Sequence, residues 1–132
     1  MKAIDTNAVV RFLTKDDEKQ ARLVHHLFLE TEQSGGTLFI STAVILETMW
    51  VLSSVYQCSR QKIISAIENL MEMPILHLEN RIALTTLCQY TSSVNIDLAD
   101  LLIGLISKEA GCETTLTFDR KAVKSDLFTL IA

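Results

Sequence analysis

The chain has 132 residues, 48% of them hydrophobic, with a mean hydropathy of +0.27, one proline, four glycines and a formal net charge of −4. That length makes one ordinary domain with enough chain to bury a substantial core, and the composition excludes disordered, collagen-like and linker-rich proteins. The apolar content is high for a monomer, so an apolar surface patch used for self-association or for a partner is expected.

The chain opens Met1-Lys2-Ala3-Ile4-Asp5, a short strand over Lys2 to Asp5, with an acid where a secretory signal needs an apolar run. Ala8, Val9, Phe12 and Leu13 follow at helical spacing. Thr14-Lys15-Asp16-Asp17 sets a hydroxyl three residues before an acid, the capping-box pattern, and predicts a helix to about Glu32. Gly35-Gly36 breaks the chain, and Leu38-Phe39-Ile40 reads as a second strand. Ser41 is placed to cap a helix reaching about Val55, and Ser59 to cap another whose Ile63, Ile64, Ile67 and Leu70 share a face. Pro74 ends that helix, and Ile75-Leu76 is a weak third strand. Glu79 to Tyr90 and Asp97 to Ala110 read as helices, the second stopped by Gly111. Thr114 to Thr117 and Phe128 to Ile131 supply the last strands.

No repeat, low-complexity tract or linker interrupts residues 1–132, which predicts a single domain. Strands alternating with helices predict an α/β sandwich with a largely parallel sheet. In such sheets ligands bind beyond the carboxyl ends of the strands, where Asp5 and Asp119 stand. Cys58, Cys88 and Cys112 form no CxxC pair and no disulfide framework, and are read as buried reduced thiols. The most apolar stretch, Ala43 to Leu52, is too short to span a membrane and contains Glu47, so a cytoplasmic protein is expected.

Glu47 lies in a helix that is apolar around most of its circumference and is therefore expected to be buried. An ionised carboxylate there is costly unless a cation or several donors meet it. The plainer alternatives put Glu47 on a narrow solvated stripe with Ser54, or pair it with an arginine. Asp5, Asp97 and Asp119 can each cap a following helix, and Asp100 can complement the positive end of its own. Taken together, these acids suit a hard divalent cation, Mg²⁺ or Mn²⁺, which takes oxygen ligands and keeps several waters. Asp5, Asp100 and Asp119 are the first choices as ligands, with Glu47 a ligand through water or the base orienting a nucleophile. Asp97 is read first as an N-cap and second as a ligand. Arg11, Lys15, Arg120 and Lys121 flank these segments and are candidate phosphate contacts, each equally readable as solvated charge. If the five acids gather, the rest of the chain is close to neutral, so the net charge argues neither for nor against a phosphate-bearing substrate.

Rival chemistries lack their residues. His25, His26 and His77 have no zinc-ligand spacing, and no phosphate-binding glycine loop or serine-nucleophile motif is present. A dehalogenase-like phosphatase needs a second Asp two residues after the first, and Asn7 stands there.

Four segments, in order, resemble a known family. Ile4-Asp5-Thr6-Asn7-Ala8-Val9-Val10-Arg11-Phe12-Leu13 is similar to the opening of PIN-domain ribonucleases of the VapC toxin type. Ile40 to Glu47, Asp97 to Ile103 and Thr117 to Ala122 resemble their later motifs, and no acidic position departs from the pattern. The resemblance implies a Rossmann-like three-layer α/β/α sandwich, a homodimer, and a VapB-type antitoxin partner whose tail blocks the site. It implies a Mg²⁺- or Mn²⁺-dependent endoribonuclease acting on transfer or ribosomal RNA. The metal-site acids carry over to Asp5, Glu47, Asp100 and Asp119, with Asp97 as a further candidate and Thr6, Asn7 and Thr117 shaping the pocket. Two alternatives are a catalytically silent PIN-fold RNA-processing or binding module and a DNA-directed, structure-specific nuclease.

Overall fold

The computed structural model describes residues 1–90 and 95–132. They divide into two units, Met1–Glu79 and Asn80–Ala132.

The first unit runs β1 (Lys2–Ala3), α1 (Thr6–Thr14), α2 (Glu18–Gln33), β2 (Leu38–Ile40), α3 (Thr42–Ser54), α4 (Arg60–Glu72) and β3 (Leu76–Leu78). The strands pair in parallel in the order β1-β2-β3, with Ala3 opposite Phe39 and Phe39 opposite His77. Parallel neighbours cannot be joined by a tight hairpin. Each crossover here is a helix pair, α1 and α2 between the first two strands and α3 and α4 between the next two. Strand alternation buries Leu38, Ile40, Leu76 and Leu78, while the row Ala3, Phe39 and His77 is exposed or half-buried. The weak third strand runs through to Leu78, because the parallel register to β2 continues to Ile40 opposite Leu78.

Ser41 and Ser59 cap α3 and α4 as expected, accepting from the Val44 and Lys62 amides. The helix expected to open at Thr14 opens instead at Asp17, whose side chain accepts from the Gln20 amide at 3.0 Å. Thr14 belongs to the end of α1, where its hydroxyl lies 2.8 Å from the Val10 carbonyl. A hydroxyl satisfied by its own helix is not available to cap the next one. Lys15, at φ 55°, turns the chain between the two helices.

The expectation that α3 is buried all round is corrected. It buries Ile45, Thr48, Met49 and Leu52, whereas Ala43, Glu47, Trp50 and Ser54 form an exposed stripe. The misreading comes from Trp50, which is apolar in type yet 65% exposed.

The second unit contains α5 (Arg81–Gln89), α6 (Leu98–Glu109), β4 (Thr115–Thr117), a 3₁₀ turn (Ala122–Lys124) and β5 (Phe128–Leu130). The strands β4 and β5 pair in parallel, Thr115 opposite Phe128. The helix α5 begins at Arg81 rather than Glu79, because Asn80 takes the left-handed conformation at φ 56° and separates it from β3. Asp97 caps α6, accepting from the Ala99 amide at 2.8 Å, and Gly111, at φ 98°, follows its end. The structure therefore shows the α/β class with parallel strands expected from the alternation, consistent with a Rossmann-like fold.

The three cysteines are thiols, but not buried ones: Cys58 and Cys88 are half-buried and Cys112 is exposed.

Gly104, buried in α6, explains a small residue in that motif. A Cβ there would stand 2.9 Å from Cε2 of the Phe128 ring and 3.1 Å from Cβ of Leu127. Ala is a better helix former than Gly by about 1 kcal/mol, but overpacking a fitted site costs about 1–3 kcal/mol. Because Leu127 Cβ is fixed by the backbone, the clash is expected to win. Gly104→Ala should lower stability by about 1 kcal/mol, measured by urea unfolding; an unchanged or higher midpoint would show that β5 yields freely.

Candidate functional site

In the second unit three acids share one neighbourhood. Asp97 and Asp100 stand at the cap and in the first turn of α6, and Asp119 follows β4. Thr117 at the end of β4 accepts the Asp119 amide on its hydroxyl at 3.0 Å, and Asp119 Oδ1 accepts the Lys121 amide at 2.8 Å. These short-range bonds hold the exposed Asp119 carboxylate close to its own backbone, as Ala99 holds that of Asp97.

Asp100 is half-buried, and its carboxyl is held above the ordinary carboxylate range, first by burial and then by the charges of Asp97 and Asp119. Its place in the first turn of α6 should favour the anion, through the helix dipole. Desolvation and like-charge repulsion win over that.

In the first unit Asp5 ends the run after β1 and caps α1, its Oδ1 accepting from the Ala8 amide at 3.0 Å. Ile4 continues the strand pairing by donating to the Phe39 carbonyl at 3.0 Å, which sets Asp5 at the strand's carboxyl end. Thr6 is buried and Asn7 exposed in the first turn. Glu47 is on the exposed stripe of α3 beside Trp50, not in the buried setting from which it was first singled out. The basic candidates differ. Lys15, Arg120 and Lys121 are exposed, whereas Arg11 donates to Gln20, Asp16 and Tyr56 within the protein.

Sequence reasoning passed over Glu79. It follows β3 as Asp5 follows β1, and its Oε1 accepts the Thr42 amide at the start of α3 at 2.8 Å. An acid directly after a strand was the signal, obscured by assigning Glu79 to the following helix.

The structure thus brings Asp97 and Asp119 within electrostatic reach of Asp100 in the second unit, and places Asp5 and Glu47 in the first. Among the described residues, no three acidic, histidine or cysteine side chains are arranged as a ready-made metal cage. The donor chemistry nevertheless fits a hard cation. Every candidate is a carboxylate, and the repulsion felt at Asp100 is what a divalent ion would relieve.

Comparison with protein-family models finds a match to the PIN domain over residues 2–126, running through both units. No curated protein gives a significant match to the chain.

The raised carboxyl of Asp100 has a pH consequence in metal-free protein. The folded state binds this proton more tightly than the unfolded chain does. Stability therefore falls as pH climbs from the ordinary value, about 4, through the raised folded one. Asp100→Asn should flatten that decline in thermal melts run in chelator. Profiles of mutant and wild type that superimpose would show that the three acids do not crowd.

Proposed function

The chain belongs to the PIN-domain family, whose members are typically nucleases that use divalent metal ions, and from that premise we propose that it is a Mg²⁺- or Mn²⁺-dependent endoribonuclease, the toxin of a toxin–antitoxin pair acting on transfer or ribosomal RNA. The observation that carries the reading is the Asp97–Asp100–Asp119 neighbourhood, in which burial and then the charges of Asp97 and Asp119 raise the carboxyl of the half-buried Asp100. Folding against such repulsion costs stability unless a counter-ion offsets it, and it is retained where function needs it.

In this reading Asp5, Asp100 and Asp119 hold the ion, with Asp97 as an auxiliary ligand and Glu47 either a ligand through water or the base. A divalent ion held by these acids supplies Lewis acidity and charge neutralisation at the scissile phosphate. Glu47, being exposed, is free to take the proton of the attacking water on its carboxylate. Thr117 orients Asp119 through its backbone amide, and Thr6 and Asn7 line the start of α1. Lys15, Arg120 and Lys121 present exposed charge to RNA phosphates; Arg11, engaged inside the protein, is the least suited to that role. A VapB-type antitoxin, a second copy of the chain in a homodimer and a cytoplasmic location complete the proposal. None of the described helices is long and apolar enough to cross a membrane.

A second reading, a catalytically silent RNA-binding module, is favoured by the lack of a ready-made three-side-chain cage among the described residues. One experiment separates them. Purified protein with Mn²⁺ should cut transfer or ribosomal RNA, with the activity lost in chelator. Asp5→Asn keeps a side-chain oxygen able to cap α1, so it tests ligation without unseating the helix. Asp5→Asn and Asp100→Asn should each lower cleavage by about 100-fold or more, since even outer-shell changes cost 10–100-fold. Intact RNA under all conditions would favour the silent module, and preferential cutting of branched DNA would favour a structure-specific DNA nuclease.

A further inference from the structure

One side chain-to-side chain network in the first unit is left unused by this mechanism. Tyr56, in the turn just after α3, donates its hydroxyl proton to Asp16 Oδ2 at 2.6 Å and accepts from Arg11 Nη1 at 3.2 Å. Arg11 also donates to Asp16 Oδ1 at 3.1 Å and, through Nε, to Gln20 at 2.7 Å. The Thr14 hydroxyl lies 3.0 Å from the same Asp16 oxygen. Hydrogen bonding to Tyr56 is also the leading cause of the lowered carboxyl of Asp16 and of the raised guanidinium of Arg11. Three pieces of chain are joined: the last turns of α1, the start of α2 and the turn after α3.

We propose that Tyr56, through Arg11 and Asp16, is a positioning residue that fixes the bearing of α1, which Asp5 caps, against α3, which carries Glu47. The proposal rests on the nuclease reading above. The two helices touch, and apart from Thr6 and Thr48 the side chains they bury, Val9 and Val10 on α1 and Ile45, Met49 and Leu52 on α3, are apolar. Apolar contact is non-directional and leaves a helix free to pivot slightly. Charge-assisted hydrogen bonds have fixed directions and remove that freedom. Roughly 9 Å of helix separates Arg11 from Asp5, so a pivot of about 5° at the network would shift Asp5 by about 0.8 Å. Misplacement of that order is enough to cost up to about 100-fold in a reaction that depends on alignment.

The test is Tyr56→Phe, which keeps the ring and deletes the hydroxyl. Ile67→Val, a buried site in α4 away from the network, serves as a control of comparable stability loss. Mn²⁺ binding is read by calorimetry on the full chain, and RNA cleavage is resolved into kcat and KM. Tyr56→Phe should weaken Mn²⁺ binding about 5-fold and lower kcat more than tenfold with KM unchanged, and should shift the Ala8 amide resonance. Ile67→Val should lower the melting temperature and leave all three unchanged. Equal losses in both variants would reduce Tyr56 to a stability role and overturn the proposal. So would wild-type Mn²⁺ affinity in Tyr56→Phe when Asp5→Asn has lost it, an outcome that leaves the nuclease reading standing. If wild type binds Mn²⁺ no better than Asp5→Asn does, the nuclease reading itself fails, and the positioning role with it.

Discussion

Parallel strand pairing is the constraint from which the rest of this molecule follows. A parallel neighbour can be reached only by a crossover, so each strand must hand the chain to a helix soon after it ends. A helix start needs an acceptor for its first amides, and an acid just beyond a strand supplies one. Asp5 after β1 does this for α1 through the Ala8 amide, while Glu79 after β3 accepts the Thr42 amide at the start of α3 and Asp119 after β4 accepts the Lys121 amide two residues on. The same geometry that closes the backbone's hydrogen bonds delivers carboxylates to the ends where ligands of α/β proteins bind. Capping does not by itself exclude ligation, since a cap uses one carboxylate oxygen and leaves the other.

Asp100 departs from the ordinary electrostatics of a helix start. A lone acid in the first turn of a helix is stabilised as the anion. Asp100 goes the other way because it is half-buried and faces two further negative charges from Asp97 and Asp119. A divalent cation beside these carboxylates would offset that repulsion. In the first unit the contrast is the Arg11–Asp16–Tyr56 network, where opposite charges and a hydroxyl satisfy one another at a junction of three chain segments. The first cluster creates an electrostatic demand and the second satisfies one.

Most of the fold was legible in the sequence because its signals are local. Ser41, Ser59 and Asp97 were readable as caps, and Gly111 as a helix stop, since each depends only on residues a turn away. The errors arose where local signals conflicted. Thr14 and Asp17 both offered a cap, and the bond from Thr14 to its own helix, invisible in the pattern, left Asp17 to do it. Glu47 was singled out as buried, whereas the structure puts it on the solvated stripe with Ser54 that stood as the alternative. Trp50 counted as apolar and weighed against that stripe, of which it is itself an exposed member. Arg11 resembled a phosphate ligand because charge alone does not reveal a partner forty-five positions away in Tyr56.

By itself, then, the sequence determined which residue types stand at each strand end and helix start, and so the class of chemistry the chain can support. Helix periods, caps and strand alternation are short-range properties, set within about one turn or one pair of residues. Only the tertiary structure decided which acids feel one another and which cations are already taken. Desolvation and Coulomb interaction act through space and not along the chain, so the raised carboxyl of Asp100 and the engaged guanidinium of Arg11 become visible only once the helices are packed.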